Sequence, residues 1–491
     1  MRQPLLKPFI FLLFFLLFSV ECAFSFYFRL DGDRLWLQAD QTPLVDILAQ
    51  FSRTGVEVHL DPRIQSTVTG AVRGEDLDDA LESLLESYDY LLTWKMLRGP
   101  LGRIPKLHSI QIYKPGGESS TQLFPSLSSN FETTRGISGT APEFVKDEML
   151  VGVRPGTTYS QFKRLLDEIG GMLVEANSAT GIYLIRFPSG TNVEALLQQI
   201  SRNSLIAHAE LNGVTRLPEA SSTSRSETAS PLPPVSPPAD GSIPVAVLDS
   251  GLDPNAGLAP LVSAGWDAVA PDQTLSDSEG HGTQMAYLAS GLLSANGISA
   301  SGDLLPIVAI RTFDENGKTS NFAIMQALAY AEQAGAKVIN MSWGSETDSD
   351  FMRTAMQVAA NQGLILVAAA GNEPTGQAVY PAAYSTVIGV GGITASGQPW
   401  EQSNYGSFVA LSAPATASFP IGHDGPAGAY VGTSISSAAV ANALAQYLNI
   451  HPGATTASAR TALQLALSPA PAGGYGNGLL DDDALQRLLA P

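Results

Sequence analysis

The chain has 491 residues, 44% of them apolar and 15% charged, with a formal net charge of −19. Such a composition buries a large core and excludes wholesale disorder, and at about 150 residues per domain the length suggests roughly three domains. Beyond Ile243 the only basic side chains are Arg311, Lys318, Lys337, Arg353, Arg460 and Arg487, a balance that repels phosphate backbones and excludes nucleic acid as a partner.

At the N-terminus Arg2 and Lys7 flank the start of an unbroken apolar run from Phe9 to Leu17, followed by small residues at Ala23 and Ser25. This is the pattern of an export signal over residues 1–25. The stretch from Phe9 to Val20 falls short of the roughly 20 residues that a retained anchor needs. Cys22 is the only cysteine; lipidation there is the alternative, with Glu21 a poor fit to the residue expected before it. Cleavage near Ser25 would leave no thiol, excluding disulfides and cysteine chemistry. The expected location is outside the cytoplasm: periplasmic, outer-membrane-associated or extracellular.

Residues 26–116 read as a small α+β domain. Leu44, Ile47, Leu48 and Phe51 share one helix face, and Leu77, Ala80, Leu81 and Leu84 share another behind the acidic start Glu75-Asp76. The run Gln41-Thr42-Pro43-Leu44, the strand Val56 to Leu60 and the tail Tyr90 to Trp94 resemble the short N-terminal domain of secretins and TonB-dependent receptors. The resemblance implies a module that contacts a protein partner in a Gram-negative envelope; a generic folded spacer is the alternative. A stretch rich in Ser, Thr and Gly over 117–142 then reads as a linker.

Residues 143–216 fall into strand Met149 to Val153, helix Tyr159 to Ile169, strand Met172 to Glu175, strand Ile182 to Phe187, helix Val193 to Ile200 and strand Ala207 to Leu211. The order βαββαβ predicts a ferredoxin-like fold. Val151-Gly152-Val153-Arg154-Pro155-Gly156 and Ala207-His208-Ala209-Glu210-Leu211-Asn212 resemble the start and end of a subtilase propeptide. That resemblance implies a segment that assists folding and blocks the active-site cleft until it is cut away, so the protein's own propeptide would be its inhibitor. An unrelated interaction domain is the alternative. A Ser/Pro-rich linker over 217–242, with Pro231-Leu232-Pro233-Pro234 and Pro237-Pro238, offers the processing site.

From Ile243 near-continuous apolar runs alternate with helical ones. Strands are expected at Ile243 to Leu248, Leu305 to Ile310, Val338 to Met341, Leu364 to Ala370 and Val387 to Val390, with helices at Phe322 to Ala334 and Phe351 to Asn361. Strands apolar on both faces predict an α/β fold, a mainly parallel sheet with helices on each side. Its working face lies at the carboxyl ends of the strands.

Two peptides follow such strands, Asp249-Ser250-Gly251 and Gly371-Asn372-Glu373, and two instead open helices, His281-Gly282-Thr283 and Gly432-Thr433-Ser434. Singly each is ordinary loop or cap chemistry. Together they supply acid, base and nucleophile in the order Asp, His, Ser, with an amide suited to an oxyanion. His281 would take the Ser434 proton, Asp249 would orient the imidazole, and Asn372 with the Ser434 N–H would bind the tetrahedral oxyanion.

With these motifs the segment 243–491 is identified as a member of the subtilisin-like serine proteases, the subtilases. Ile339-Asn340-Met341-Ser342-Trp343-Gly344, Tyr380-Pro381-Ala382-Ala383-Tyr384 and Tyr475-Gly476-Asn477-Gly478-Leu479-Leu480 match further family landmarks. The resemblance implies that Ser342, Trp343 and Gly344, with Ala368, Ala369, Ala370 and Gly371, line the pocket for the residue preceding the cut bond. Small uncharged walls predict a large apolar side chain there, and Glu373 at the mouth would admit a basic one.

Two places depart from the family pattern. Ile435, Ser436, Ser437, Ala438 and Ala439 stand where Met, Ala and a Pro-His pair are usual, and Gln284 stands where His is usual. The 6 histidines show no metal-ligand spacing. No cofactor is required; family members often bind calcium, but Asp267, Asp272 and Asp277 fit no calcium loop and read as solvated surface acids. The expectation is an exported serine endopeptidase acting on proteins or peptides, made as a self-processed precursor. The alternative is a catalytically silent envelope scaffold that binds partners through its N-terminal domain.

Overall fold

The computed structural model describes residues 26–31, 34–115, 122–123, 131–135, 142–219, 221, 232–233, 235–271, 273–299, 303–470 and 473–490. The expected export segment with Cys22, Asp272 and much of both linkers lie outside them. The chain forms two compact units, Met1–Leu92 with Ser109–Phe124, and Thr93–His108 with Pro125–Pro491. No helix among the described residues is long and apolar enough to cross a membrane.

The first unit runs β1 (Phe26–Asp31), β2 (Arg34–Pro43), α1 (Leu44–Arg53), β3 (Glu57–Leu60), β4 (Thr67–Asp76) and α2 (Leu77–Leu84), then takes in the start of β5 (Asp89–Gly99), the end of β6 (Gly102–Tyr113) and β7 (Gln122–Leu123). β2 lies between β1 and β4, antiparallel to both, while β3 runs parallel to β6 and antiparallel to β7. The expected helix faces are buried, except that Leu85 takes the place of Leu84, which is half-buried. Asp76 caps α2 by accepting from the Asp78 N–H.

The second unit opens with the tip of the β5–β6 hairpin, residues 93–108. β8 (Thr133–Arg135), β9 (Glu143–Val153), α3 (Tyr159–Ile169), β10 (Met172–Asn177), β11 (Ile182–Arg186), α4 (Val193–Ile200) and β12 (Ile206–Arg216) follow. The expected βαββαβ order is present, as an antiparallel sheet ordered β10-β11-β9-β12. A Thr158–Gln161 capping box starts α3. One sheet face packs Met149, Val151, Tyr183 and Ile185 under Phe162, Leu165 and Val193. Leu97 and Ile104 of the hairpin tip join that core, and the Tyr183 hydroxyl accepts from the Leu101 N–H at 2.9 Å. The domain boundary expected at residue 116 therefore does not hold for 93–108, whose apolar side chains complete the core of the 143–216 domain.

The remaining elements are β13 (Val245–Asp249), β14 (Val262–Asp267), α5 (His281–Ala289), β15 (Ile307–Arg311), β16 (Lys318–Ser320), α6 (Asn321–Gln333), β17 (Val338–Met341), α7 (Asp350–Asn361), β18 (Ile365–Ala369), β19 (Val387–Ile393), β20 (Val409–Pro414), β21 (Thr416–Phe419), β22 (Gly428–Val431), α8 (Thr433–Ile450), α9 (Thr456–Ala466) and α10 (Asp482–Leu488). Seven strands form one parallel sheet ordered β14-β15-β13-β17-β18-β19-β20. Alternation along β13 shows how both faces are covered. Val245 and Val247 pack with Met285 of α5 and Ala441 of α8, and Ala246 and Leu248 pack with Phe322 of α6 and Met356 of α7. The second face of the β10-β11-β9-β12 sheet, Leu150, Val174, Ile182 and Leu184, joins this latter cluster.

Candidate active site

β13 delivers Asp249 to the carboxyl end of the sheet, 0% exposed, and α5 begins at His281. The two peptides meet back to back, and glycine permits it. A Cβ on Gly251, whose φ is +124°, would stand 1.9 Å from the Ser276 oxygen, and one on Gly282 would stand 2.4 Å from the Gly251 oxygen. The Gly282 N–H donates to Ser250 Oγ at 2.8 Å. Asp277 accepts from the Gly280 and Thr283 N–H groups and from the Thr283 hydroxyl, fixing the turn into α5. The result is a contact of 2.7 Å between His281 Nδ1 and Asp249 Oδ1. Burial opposes the imidazolium, but the charge and hydrogen bond of Asp249, backed by Asp277 and Glu279, outweigh it and raise His281 above its ordinary pKa.

The nucleophile candidate is held from the adjacent strand. β17, parallel to β13 and next to it, ends at Met341, and Ser342 beyond it exchanges two hydrogen bonds with Ser434. Ser434 Oγ donates to the Ser342 oxygen at 2.9 Å, and Ser342 Oγ donates to the Ser434 oxygen at 3.0 Å. Trp343 Nε1 donates to the Leu248 oxygen at 2.7 Å, locking the two strand ends together. So Asp249 ends β13 and holds His281 at the start of α5, while Ser434, in the first turn of α8, is held by Ser342 beyond the neighbouring β17, with its hydroxyl bonded to Ser342 rather than to His281. The departures in α8 tie this helix down: Ser436 donates to the Ala413 oxygen and Ser437 to Asn340 Oδ1.

Asn372 follows β18, and its side-chain oxygen accepts from the Thr433 N–H and hydroxyl, both at 2.9 Å. Anchored by its oxygen, the amide presents its N–H donors elsewhere. The Ser434 N–H, in the first turn of α8, has no intrahelical acceptor. Both donors lie beside Gly432, whose Cβ would stand 3.3 Å from Asn372 Nδ2 and 3.8 Å from the Ser434 nitrogen, at a helix end that favours negative charge.

The expected specificity pocket needs correction. Trp343 is 2% exposed and its indole lies against Phe313, ring centroids 5.7 Å apart, so it offers the cleft only main chain. Ser342, Ala369 and Ala370 are buried, Gly344 and Gly371 half-buried, and Glu373 exposed. A Cβ on Gly344 would meet Val379 Cγ1 at 2.4 Å, and one on Gly371 would meet Val379 Cγ2 at 3.5 Å. Val379, fixed by the paired main chains of Ser345 and Tyr380, therefore stands between the two walls. It makes the pocket shallow where sequence reading expects it deep.

Two further residues escape sequence reading. His423, between β21 and β22, is 5% exposed with its ring centroid 4.8 Å from that of His281. Gln284 reaches the same loop, donating to the Ile421 oxygen at 3.0 Å, which gives this departure a structural role. The acids read as surface groups are otherwise engaged: Asp267 is buried against Arg311 at 2.8 Å, and Asp277 caps the turn described above.

The segment after the 143–216 domain reaches this rim. β12 runs on to pair antiparallel with β16, Val214 against Ser320 and Arg216 against Lys318. The Leu217 N–H then donates to the Gly317 oxygen at 2.9 Å, and the Ser221 oxygen accepts from the Val431 N–H at 3.0 Å, three residues before Ser434. Glu210 caps α7, accepting from the Ser349 hydroxyl at 2.6 Å and the Asp350 N–H at 2.8 Å.

Residues 240–478 match the sequence profile of the subtilase family, and residues 136–212 that of the fervidolysin N-terminal prodomain. Neither match reaches the first segment. Thermitase of Thermoactinomyces vulgaris is 35% identical over 172 residues, covering 35% of this chain and 62% of thermitase. The minor extracellular protease Epr of Bacillus subtilis is 34% identical over 175 residues, covering 35% of this chain and 27% of Epr. The chain thus spans less than two thirds of the length of either. The crystal structure of fervidolysin from Fervidobacterium pennivorans, described as a keratinolytic enzyme related to subtilisin, shares the fold at a TM-score of 0.56 and 21% identity, covering 74% of this chain and 64% of that one. Subtilisin of Bacillus pumilus is 31% identical over 249 residues, 49% of this chain and 90% of that protein. The sheet, the paired strand ends and a match along nearly all of that subtilisin have one meaning: the chain belongs to the subtilase family.

Proposed function

We propose that the protein is an exported serine endopeptidase made as an inhibited precursor. The observation that carries this reading is the 2.7 Å Asp249–His281 pair, set beside the strand end that holds Ser434. On attack, Ser434 Oγ forms the bond to the peptide carbonyl carbon and its proton passes to His281 Nε2. The carbonyl oxygen takes the negative charge between Asn372 and the Ser434 N–H. Collapse expels the amine, which leaves with the His281 proton, and water repeats the sequence on the acyl-enzyme. Asp249 holds the tautomer and stabilises the imidazolium. No cofactor enters these steps.

The substrate would be a polypeptide lying along the Ser342–Gly344 main chain, with a small side chain before the cut bond because Val379 shortens the pocket. Residues 143–216 with the hairpin tip 93–108 would inhibit in the precursor, cleavage within 217–242 would free residues 243–491, and the rest of residues 26–116 would serve as an envelope-contact module.

A catalytically silent scaffold is the second reading, favoured by the Ser434 hydrogen bond to Ser342. Rotation about one side-chain bond frees that hydroxyl, and catalytic hydrogen bonds often tighten only with substrate. A fluorophosphonate probe separates the readings: it should label the matured protein and spare Ser434→Ala, whose turnover should fall roughly 10^6-fold, the figure known for a subtilisin. A matured wild type that takes no label would establish the scaffold.

A further inference from the structure

The loop between β21 and β22 does more than cover α5. Glu279, His423 and Asp424 each offer one ligand atom, and these atoms lie within 4.8 Å of one another. His423 is 5% exposed, and only its main chain is hydrogen-bonded, to the Tyr430 hydroxyl. Among the described residues its ring nitrogens have no hydrogen-bond partner, and one of them is the atom that lies near the two carboxylates.

We propose that Glu279, His423 and Asp424 form a site for a zinc-class divalent cation beside His281, and that filling it slows the enzyme. One imidazole nitrogen and two carboxylate oxygens suit zinc, cobalt or nickel better than calcium or magnesium. Metal–ligand distances of about 2.0–2.2 Å bring tetrahedral ligand atoms to roughly 3.4 Å from one another. The exposed Asp424 can close that shortfall with little cost. The inhibition follows from charge. A bound dication stands close to the ring that must become imidazolium, since the His281 and His423 ring centroids are 4.8 Å apart. Binding is independent of the proposed peptidase activity; the inhibition rests on it.

Cobalt(II) titrated into the full chain, read by its visible absorption band and displaced by zinc, measures binding without reference to activity. About one equivalent should bind at this site, and zinc should lower kcat/KM about tenfold or more, reversed by a chelator. Asp424→Asn, chosen because the backbone there has φ +49°, which Asn tolerates, should keep the metal-free activity and weaken the metal about a hundredfold, as should His423→Gln. His208→Gln, in the other such cluster among the described residues, should leave the band unchanged. The proposal falls if no band forms, if the band survives both variants but not His208→Gln, or if zinc inhibits Asp424→Asn as strongly as wild type. An enzyme silent without metal would instead sink the peptidase reading, with the cobalt band still deciding the site.

Discussion

The catalytic sheet and the propeptide sheet are both covered on two faces, but the covers differ in kind. Helices from residues 281–450 close both faces of the first, so Asp249 and Ser342 leave strands whose every residue is buried. The propeptide sheet has its own helices on one face only, and on the other it borrows α6 and α7 of the catalytic domain. The first cover is permanent and suits groups that must hold position to fractions of an ångström. The second can be withdrawn, at the cost of exposing Leu150, Val174, Ile182 and Leu184, and it suits a plug.

If the catalytic sheet is the rigid mount, losing one positioned donor should cost rate and leave the fold alone. Asn372→Ala is expected to lower kcat by about 100- to 1,000-fold with KM and melting temperature little changed. A loss shared with stability would mean that the bond from Thr433 to Asn372 holds the helix start rather than the oxyanion.

Val379→Ala asks whether the mount also sets specificity. Opening the gap between Gly344 and Gly371 should raise kcat/KM for Leu or Phe before the cut bond, relative to Ala, by about tenfold or more. An unchanged ratio would return the deep pocket that the sequence suggests.

The removable cover is tested at Glu210. It makes charge-assisted hydrogen bonds to the start of α7, each typically about 1.5–3 kcal/mol when partly buried. Residues 93–216 carrying Glu210→Gln, added to the matured enzyme, should inhibit about tenfold to a hundredfold less tightly than the wild-type segment. The segment begins at 93 because Leu97 and Ile104 belong to its core. An unchanged inhibition constant would place the hold in the β12–β16 ladder alone.

Legibility followed the same division. The five central strands and the covering helices α6 and α7 announce themselves through apolar runs, whereas β14 alternates half-buried and exposed positions up to Asp267 and β20 ends in Pro414, so neither edge looks like a buried strand. The four peptides of the site were readable because each falls where a strand ends or a helix starts. Trp343 was misplaced although the signal existed: Ile339, Met341 and Trp343 alternate onto one face and share one core. Val379 and His423 had no such signal, because their importance comes from contacts with Gly344 and His281 across the fold. The hairpin tip was likewise hidden, since its strands begin in the first unit and its apolar side chains end in the second.

The smallest expected effect, a shift in pH dependence, probes the fixed charges around the rigid mount. As the proposed base, His281 could accept the Ser434 proton only when neutral, so activity should rise as pH climbs through the His281 pKa. Because that pKa is raised from 6.5, the acid limb of kcat/KM should lie above 6.5. Stability carries the opposite sign. A pKa raised in the folded state contributes stability in full below the unfolded value of 6.5, and that contribution is lost as pH rises through the folded one. Glu279→Gln removes one of the charges that favour the imidazolium, so in metal-free buffer its acid limb should move to lower pH and its stability gain below that limb should shrink. The two shifts must come together, since both measure the same proton; a limb that moves while stability against pH stays unchanged would assign the limb to a group other than His281.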